Sequence, residues 1–174
     1  IDRAGIGFCF APTFHPALRH AGPPRRELGI PTVFNILGPL ANPARPAASL
    51  VGAADVRLAP VMAQVFAESG RRAMVVRGSD GLDEVTVSGP TQVWDATEAA
   101  IGAQVRATEV APGDAGLAES PVADLVGGDA PANAAIARAV LAGETGGTLG
   151  AVRAAVLLNA ALALVVWDAA IGAD

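Results

Sequence analysis

Apolar positions come in short runs cut by Pro and Gly through the first half of the chain, and in long helical runs near its end. Gly5–Pro12 (GIGFCFAP) is an apolar run closed by Pro, which predicts a buried strand followed by a loop. From His15 to Leu28 the spacing turns helical, with Leu18 and Leu28 apolar and Arg residues between them. Pro23 and Pro24 must interrupt that pattern; a helix restarting near Pro24 places Pro in its first turn, where it is tolerated, and Gly29 ends it. Thr32–Leu37 (TVFNIL) predicts a second strand, stopped by Gly38-Pro39 and Asn42-Pro43, and Ala48–Ala53 (ASLVGA) a third. Asp55 is placed to cap a helix reaching about Ser69, with Gly70 as its stop. Ala73–Val76 predicts a fourth strand feeding RGSDGLDE, and the alternation of Val85–Trp94 (VTVSGPTQVW) predicts a hairpin or paired strands about a Gly-Pro turn. Helices over Asp129–Leu141 and Thr148–Ala170 close the chain. The order predicts an α/β fold, a mixed central sheet flanked by helices. No internal repeat is visible, and the Ala/Gly-rich linkers are too short to mark a second domain, so residues 1–174 read as one.

Composition supports a packed fold. The 174 residues are 52% hydrophobic and 17% charged, far from a disordered composition. A domain of that length buries roughly 70% of its unfolded surface and needs no covalent staples. All 12 basic residues are Arg, to which no functional weight attaches. The net charge of −5 and a pI near 4.9 leave no basic face, which argues against nucleic acid as a partner. The single Cys9, inside GIGFCF, has no partner for an internal disulfide and is expected to be a buried, inert thiol in a reducing cytosol. Ala154–Trp167 is apolar over 14 residues but carries Asn159. It is shorter than the ~20 residues a bilayer span needs. It therefore predicts a buried core helix, with no membrane partner. The chain starts IDRAGIGF with no initiator Met and no secretory pattern, and the expectation is a piece of a longer protein.

Two segments carry candidate chemistry. RGSDGLDE (Arg77–Glu84) follows a predicted strand, and ligands of open α/β sheets gather at the carboxyl ends of strands. It offers Asp80, Asp83 and Glu84 on a turn that Gly78 and Gly81 allow to be tight. Mg²⁺ takes hard carboxylate oxygens, keeps waters, and completes its shell from a substrate phosphate, so adjacent acids suit it. A solvated acidic turn is the alternative, and the spacing is not that of an EF-hand. The other segment, His15–Pro43, holds two His, three Arg and Asn35 among apolar and Pro residues, as a grip on a small anion would. Adjacent Arg25 and Arg26 point about 100° apart on a helix, so at most one faces a given site. An Arg fork binds a carboxylate through two parallel hydrogen bonds. Solvated guanidinium groups, or pairs with Glu27 and Asp2, are the other reading. His15 and His20 offer a base, a ligand or a donor, or a structural role; no Cys/His spacing suits zinc. A serine elbow, a P-loop and a dinucleotide loop are all absent from the sequence.

In order, GIGFCFAPTFHPALRH, RRELGIPTVFNILGPLANPARP, GSDGLDE, GGDAPANAAIARAVL and VLLNAALAL resemble anthranilate phosphoribosyltransferase over nearly the whole chain. The resemblance implies the C-terminal α/β portion of a nucleoside phosphorylase/phosphoribosyltransferase-like fold, with the N-terminal helical domain absent. It implies a pentosyl transfer of tryptophan biosynthesis: the anthranilate amine attacks C1 of phosphoribosyl pyrophosphate and releases pyrophosphate. The family's acidic pair, which binds Mg²⁺, falls on Asp83 and Glu84; its carboxylate-contacting Arg falls on Arg25. His15, Pro12 and Gly38 occupy positions lining the aromatic substrate's path. No residue of this chain takes a catalytic acid or base role, since the aromatic amine is uncharged near pH 7 and needs positioning more than deprotonation. The expected protein is cytoplasmic and its parent a homodimer. The family's glycine-rich pyrophosphate loop and its KHGNR segment belong upstream of residue 1, so these 174 residues alone are expected to be inactive. Arg77 stands where the family often has His, and Pro23-Pro24 departs from its usual spacing. The alternatives are a pyrimidine nucleoside phosphorylase relative, which the HPALRH-to-NP run argues against, a non-catalytic paralogue binding nucleic acid, and a truncated pseudo-protein.

Overall fold

Two apolar runs of the first forty-five residues that predict strands form none among the described residues: one is irregular over most of its length and the other starts a helix. The computed structural model describes residues 2–14, 16–30, 32–98 and 104–171, in two units, 1–45 and 46–174. In the first unit, Ile6–Phe10 is irregular and exposed, with Phe8 86% exposed and its ring stacked on that of Phe10. The predicted buried strand is absent there: Gly5 turns the backbone left-handed at φ 69°, and no strand among the described residues pairs with the run. Cys9 is consequently exposed, against the expectation of a buried thiol. A one-turn helix α1 (Ala11–Phe14) and a 3-10 turn (Pro16–Ala21) lead into α2 (Gly22–Leu28). α2 is as the Pro and Gly positions predict: Pro lies in its first turn, and Gly29, at φ 63°, closes it with its N–H on the Arg25 carbonyl.

Thr32–Leu37 does not form a strand; it starts α3 (Phe34–Leu40). A short apolar run does not separate helix from strand by periodicity. Here a turn nucleates the helix, with the Asn35 N–H on the Thr32 carbonyl and the Leu37 N–H on the Val33 carbonyl. Pro39 sits one residue from the end, so the single donor it lacks costs little of the helix.

In the second unit β1 (Ala48–Gly52) and β2 (Arg72–Gly78) run parallel, joined by the helix α4 (Ala59–Glu68). α4 begins later than Asp55 suggests: the Asp55 carboxylate takes the Arg57 side chain at 2.7 Å and the Arg57 N–H at 2.9 Å, closing a turn ahead of the helix. β3 (Thr91–Ala96) pairs antiparallel with β2, and β4 (Arg106–Val110) with β3. The sheet described is thus mixed, in the order β1-β2-β3-β4, and helices flank it as predicted. Only the second half of Val85–Trp94 is strand. Side chains and loops occupy the peptide groups of the first half: Thr91 Oγ1 accepts the Thr86 N–H, and the Val87 carbonyl accepts the Ser120 N–H. β4 has no apolar alternation to announce it; it is held through Arg106, which faces Asp95 across the pair at 2.6 Å.

Both faces of β2 are covered. Met74 and Val76 pack with Val85, Val87, Val93 and the helix residues Leu158 and Val166, while Ala73 and Val75, of opposite parity, are fully buried as well. α4 contacts β2 and β3 and buries Met62, Ala63, Phe66 and Ala67. Asp129 caps α5 (Ala130–Leu141), accepting the Ala132 N–H at 2.9 Å. The last helix, α6 (Leu149–Ile171), departs from the expected buried core helix. It seats one stripe (Ala151, Leu158, Val166 and Ala170) and leaves Leu164 and Trp167 at least half exposed. At 22 residues with mean hydropathy 2.1, Leu149–Ala170 is long and apolar enough to cross a bilayer on length and composition, unlike the shorter run read from sequence. Its mid-helix Asn159 is committed to the sheet unit.

Candidate functional site

The acidic turn is built by the end of β2 and held by contacts from three directions. Gly78 starts it: a Cβ there would lie 2.5 Å from Asp80 Oδ1 and 3.0 Å from Thr86 Cβ. Gly78 donates to the Leu82 carbonyl, Gly81 (φ 95°) to the Gly78 carbonyl, and Ser79 to the Pro90 carbonyl. Asp80 is the internal brace. Its Oδ1 accepts the Leu82 N–H at 3.0 Å, and its Oδ2 accepts the hydroxyls of Thr86 at 2.5 Å and Ser88 at 2.6 Å. Partial burial works to raise its pKa, but those hydroxyls and the Leu82 amide outweigh it, so the carboxyl titrates below the usual range. Both of its oxygens are thereby engaged, which separates Asp80 from the other two acids of the turn.

Asp83 and Glu84 come next along the turn, and both are exposed. Lost hydration, and then the Asp83 charge beside it, push the Glu84 pKa above its ordinary value. Such a pair is relieved by a cation. Among the described residues no third His, Cys, Asp or Glu joins to close a cage. Two hard carboxylates with open positions are what Mg²⁺ takes when waters and a phosphate supply the remainder, so the donor set fits that ion.

The surrounding backbone is fixed from a distance. Gly52, the last residue of β1, lies so close that a Cβ there would stand 1.6 Å from the Asp83 carbonyl oxygen. Asn159 on α6 accepts the Val85 N–H at 3.0 Å and donates to the Val85 carbonyl at 2.8 Å. Arg77 reaches back to the carbonyls of Ala53 at 2.9 Å and Ala54 at 2.5 Å, tying β2 to the loop after β1. Sequence reading does not reach Gly52 or the Asp80 brace; Asn159 stood out only as a polar residue in an apolar run.

In the unit 1–45, Arg25 lies on α2 and its Nη2 donates to Asn35 Oδ1 at 3.0 Å. Gly22, Arg25, Arg26, Gly29, Ile30 and Asn35 line one open cleft. The Arg25 guanidinium and the Asn35 carboxamide, bonded to each other at this cleft, can take a carboxylate. Asn35, one of the donors of the anion-gripping segment, stands in the structure as the side-chain partner of Arg25. Gly38 lies inside α3, with open space where a side chain would project. Pro12 falls in α1, and His15 lies outside the described residues. His20 is exposed, its Nε2 accepting from Arg19 at 3.3 Å.

Comparison with known proteins places the chain in a family. The anthranilate phosphoribosyltransferase of Nocardia farcinica is 56% identical over 168 residues, covering 97% of this chain and 46% of that protein. The crystal structure of anthranilate phosphoribosyltransferase from Thermus thermophilus aligns with a TM-score of 0.81 at 39% identity, over 93% of this chain and 46% of that one. The Saccharomyces cerevisiae enzyme in complex with PRPP and Mg aligns with a TM-score of 0.76 at 29% identity, over 93% of this chain and 43% of that one. The chain spans about half the length of the curated relatives it matches. Residues 1–171 match the glycosyl transferase family, a/b domain, and the chain belongs to that family.

Proposed function

We propose that this chain supplies the Mg²⁺ carboxylates and the acceptor-carboxylate clamp of an anthranilate phosphoribosyltransferase. The observation that carries the reading is the acidic turn: Asp83 and Glu84 adjacent and exposed, one with a raised pKa, on a backbone braced by Asp80. The 56% identity to a relative of that name supports it. In the reaction, the anthranilate nitrogen forms a bond to C1 of phosphoribosyl pyrophosphate. The C1–oxygen bond breaks with its electron pair leaving on pyrophosphate, and the nitrogen then gives up a proton to solvent. Asp83 and Glu84 would hold Mg²⁺, whose chemistry is to neutralise charge growing on the pyrophosphate. Arg25, oriented by Asn35, would take the anthranilate carboxylate as a fork, so that the uncharged amine needs orientation rather than a strong base. His15, Pro12 and Gly38 belong to this reading as lining residues of the acceptor path. With it go a cytoplasmic location, a single-domain reading of residues 1–174, and a homodimeric parent.

The test is a Mg²⁺ titration of anthranilate consumption in a full-length transferase carrying this segment. Asp83→Asn should raise the Mg²⁺ requirement about tenfold or more and slow turnover; an unchanged titration overturns the metal reading. Arg25→Ala should raise KM for anthranilate and leave KM for phosphoribosyl pyrophosphate nearly unchanged. Equal loss for both substrates removes Arg25 from the acceptor site.

A further inference from the structure

Asn159 is the polar residue of an apolar stretch of α6, and its carboxamide binds backbone 74 residues away as well as a carbonyl of its own helix. Oδ1 takes the Val85 N–H at 3.0 Å; Nδ2 gives one proton to the Val85 carbonyl at 2.8 Å and the other to the Ala155 carbonyl at 2.9 Å. Its polar groups are thereby satisfied, and it mates with Val85 as a neighbouring strand would. The peptide that owns the Val85 N–H is the one leaving Glu84. The peptide entering Glu84 carries the Asp83 carbonyl, against which Gly52 is pressed with no room for a Cβ. Glu84 is therefore bracketed by two peptide planes, one held by β1 and the other by α6. Fixing both planes fixes the direction in which Cβ leaves the backbone. A near-octahedral ion such as Mg²⁺ requires its donors to be placed in advance.

From this we infer that Asn159 is a positioning residue for the metal carboxylate Glu84, an inference that rests on the metal reading of the acidic turn. A polar side chain kept only for solubility would have faced water, and an apolar residue would have suited the helix equally well.

Mn²⁺ titration of the ¹⁵N-labelled chain tests it, read as paramagnetic broadening of backbone amide signals. The wild-type chain should lose the Asp83 and Glu84 signals first. Asn159→Leu should raise the Mn²⁺ concentration for half-broadening about tenfold. Leu158→Ala is the control: it opens a cavity in the same helix and in the core cluster that holds Val85, removes no hydrogen bond to the turn, and should lower thermal stability with an unchanged Mn²⁺ midpoint. If Asn159→Leu does not fold, Asn159→Ser lets water reach the Val85 groups and should shift the midpoint in the same direction. An unmoved midpoint in the Asn159 variants overturns the positioning role, and so does an equal shift in Leu158→Ala, which would make the effect one of stability. Broadening that never centres on Asp83 and Glu84 in the wild type overturns the metal reading first, and this inference with it.

Discussion

The turn after β2 and the segment from Gly22 to Asn35 offer opposite charges to a ligand, and they are held in opposite ways. Around the turn the restraints come from far along the chain: Asn159 bonds to Val85 across 74 residues, and Arg77 reaches carbonyls 23 and 24 residues back. Around Arg25 the bonds described above are local, to Asn35 ten residues on and from Gly29 to the Arg25 carbonyl, and α2 buries none of its residues. On the function proposed above, the difference follows from what each chemistry tolerates. Metal carboxylates have to be placed before the ion arrives, whereas an Arg fork finds a carboxylate by rotating its own side chain. The expectation is that the turn opens with the sheet unit and that α2, which buries none of its residues, frays locally.

Two glycines put that contrast to the largest test. Gly52 is there because of a contact: a Cβ would stand 1.6 Å from the Asp83 oxygen and 2.7 Å from its carbonyl carbon, both backbone atoms. Gly52→Ala must push β1 and the turn apart, and should cost about 3 kcal/mol in urea unfolding. A loss under about 1 kcal/mol would mean that β1 does not hold the turn.

How much of this was legible in the sequence depends on the reach of each restraint. α2 was readable from Pro23, Pro24 and Gly29, because its boundaries are local backbone chemistry. The acidic turn was readable from RGSDGLDE behind an apolar strand for the same reason. The strands predicted at Gly5–Pro12 and Thr32–Leu37 failed because an apolar run states a wish for burial without naming a partner. Val85–Val87 kept strand-like alternation yet lost its ladder to Thr91 and Asn159 side chains. Gly52 and Asn159 matter through what they touch, and nothing in ASLVG or LLNAALAL names Asp83 or Val85. Composition and spacing leave the three acids of the turn equivalent; the family resemblance singles out Asp83 and Glu84, and hydrogen bonding gives Asp80 its role as the brace.

Gly29 is the counterpart in the locally held segment. It needs its left-handed φ of 63°, while a Cβ there would meet nothing within 4 Å. Gly29→Ala should cost about 1 kcal/mol, purely conformational. Hydrogen exchange at residue 29, whose N–H binds the Arg25 carbonyl, should quicken roughly fivefold. The urea midpoint of the sheet unit should stay where it is. A Gly29→Ala variant that lowered that midpoint would break the separation between local and distant restraint.

The smallest effect sharpens the comparison at the ligand itself. Glu84 holds its proton more tightly in the folded chain than the ordinary value of 4.5, through lost hydration and then Asp83. From that ordinary value up to the raised one, the folded state binds more protons than the unfolded chain, so stability falls as pH rises through the window. Glu84→Gln should match the wild type near pH 4 and exceed it in stability near pH 7, by less than about 1 kcal/mol because water screens an exposed carboxylate. Saturating Mg²⁺ should reverse the order near pH 7, since the ion favours the charged form that the variant lacks. If Glu84→Gln keeps its advantage in Mg²⁺, the strain on Glu84 belongs to the fold rather than to a waiting cation, and the turn loses its distinction from the Arg25 segment as a preset site.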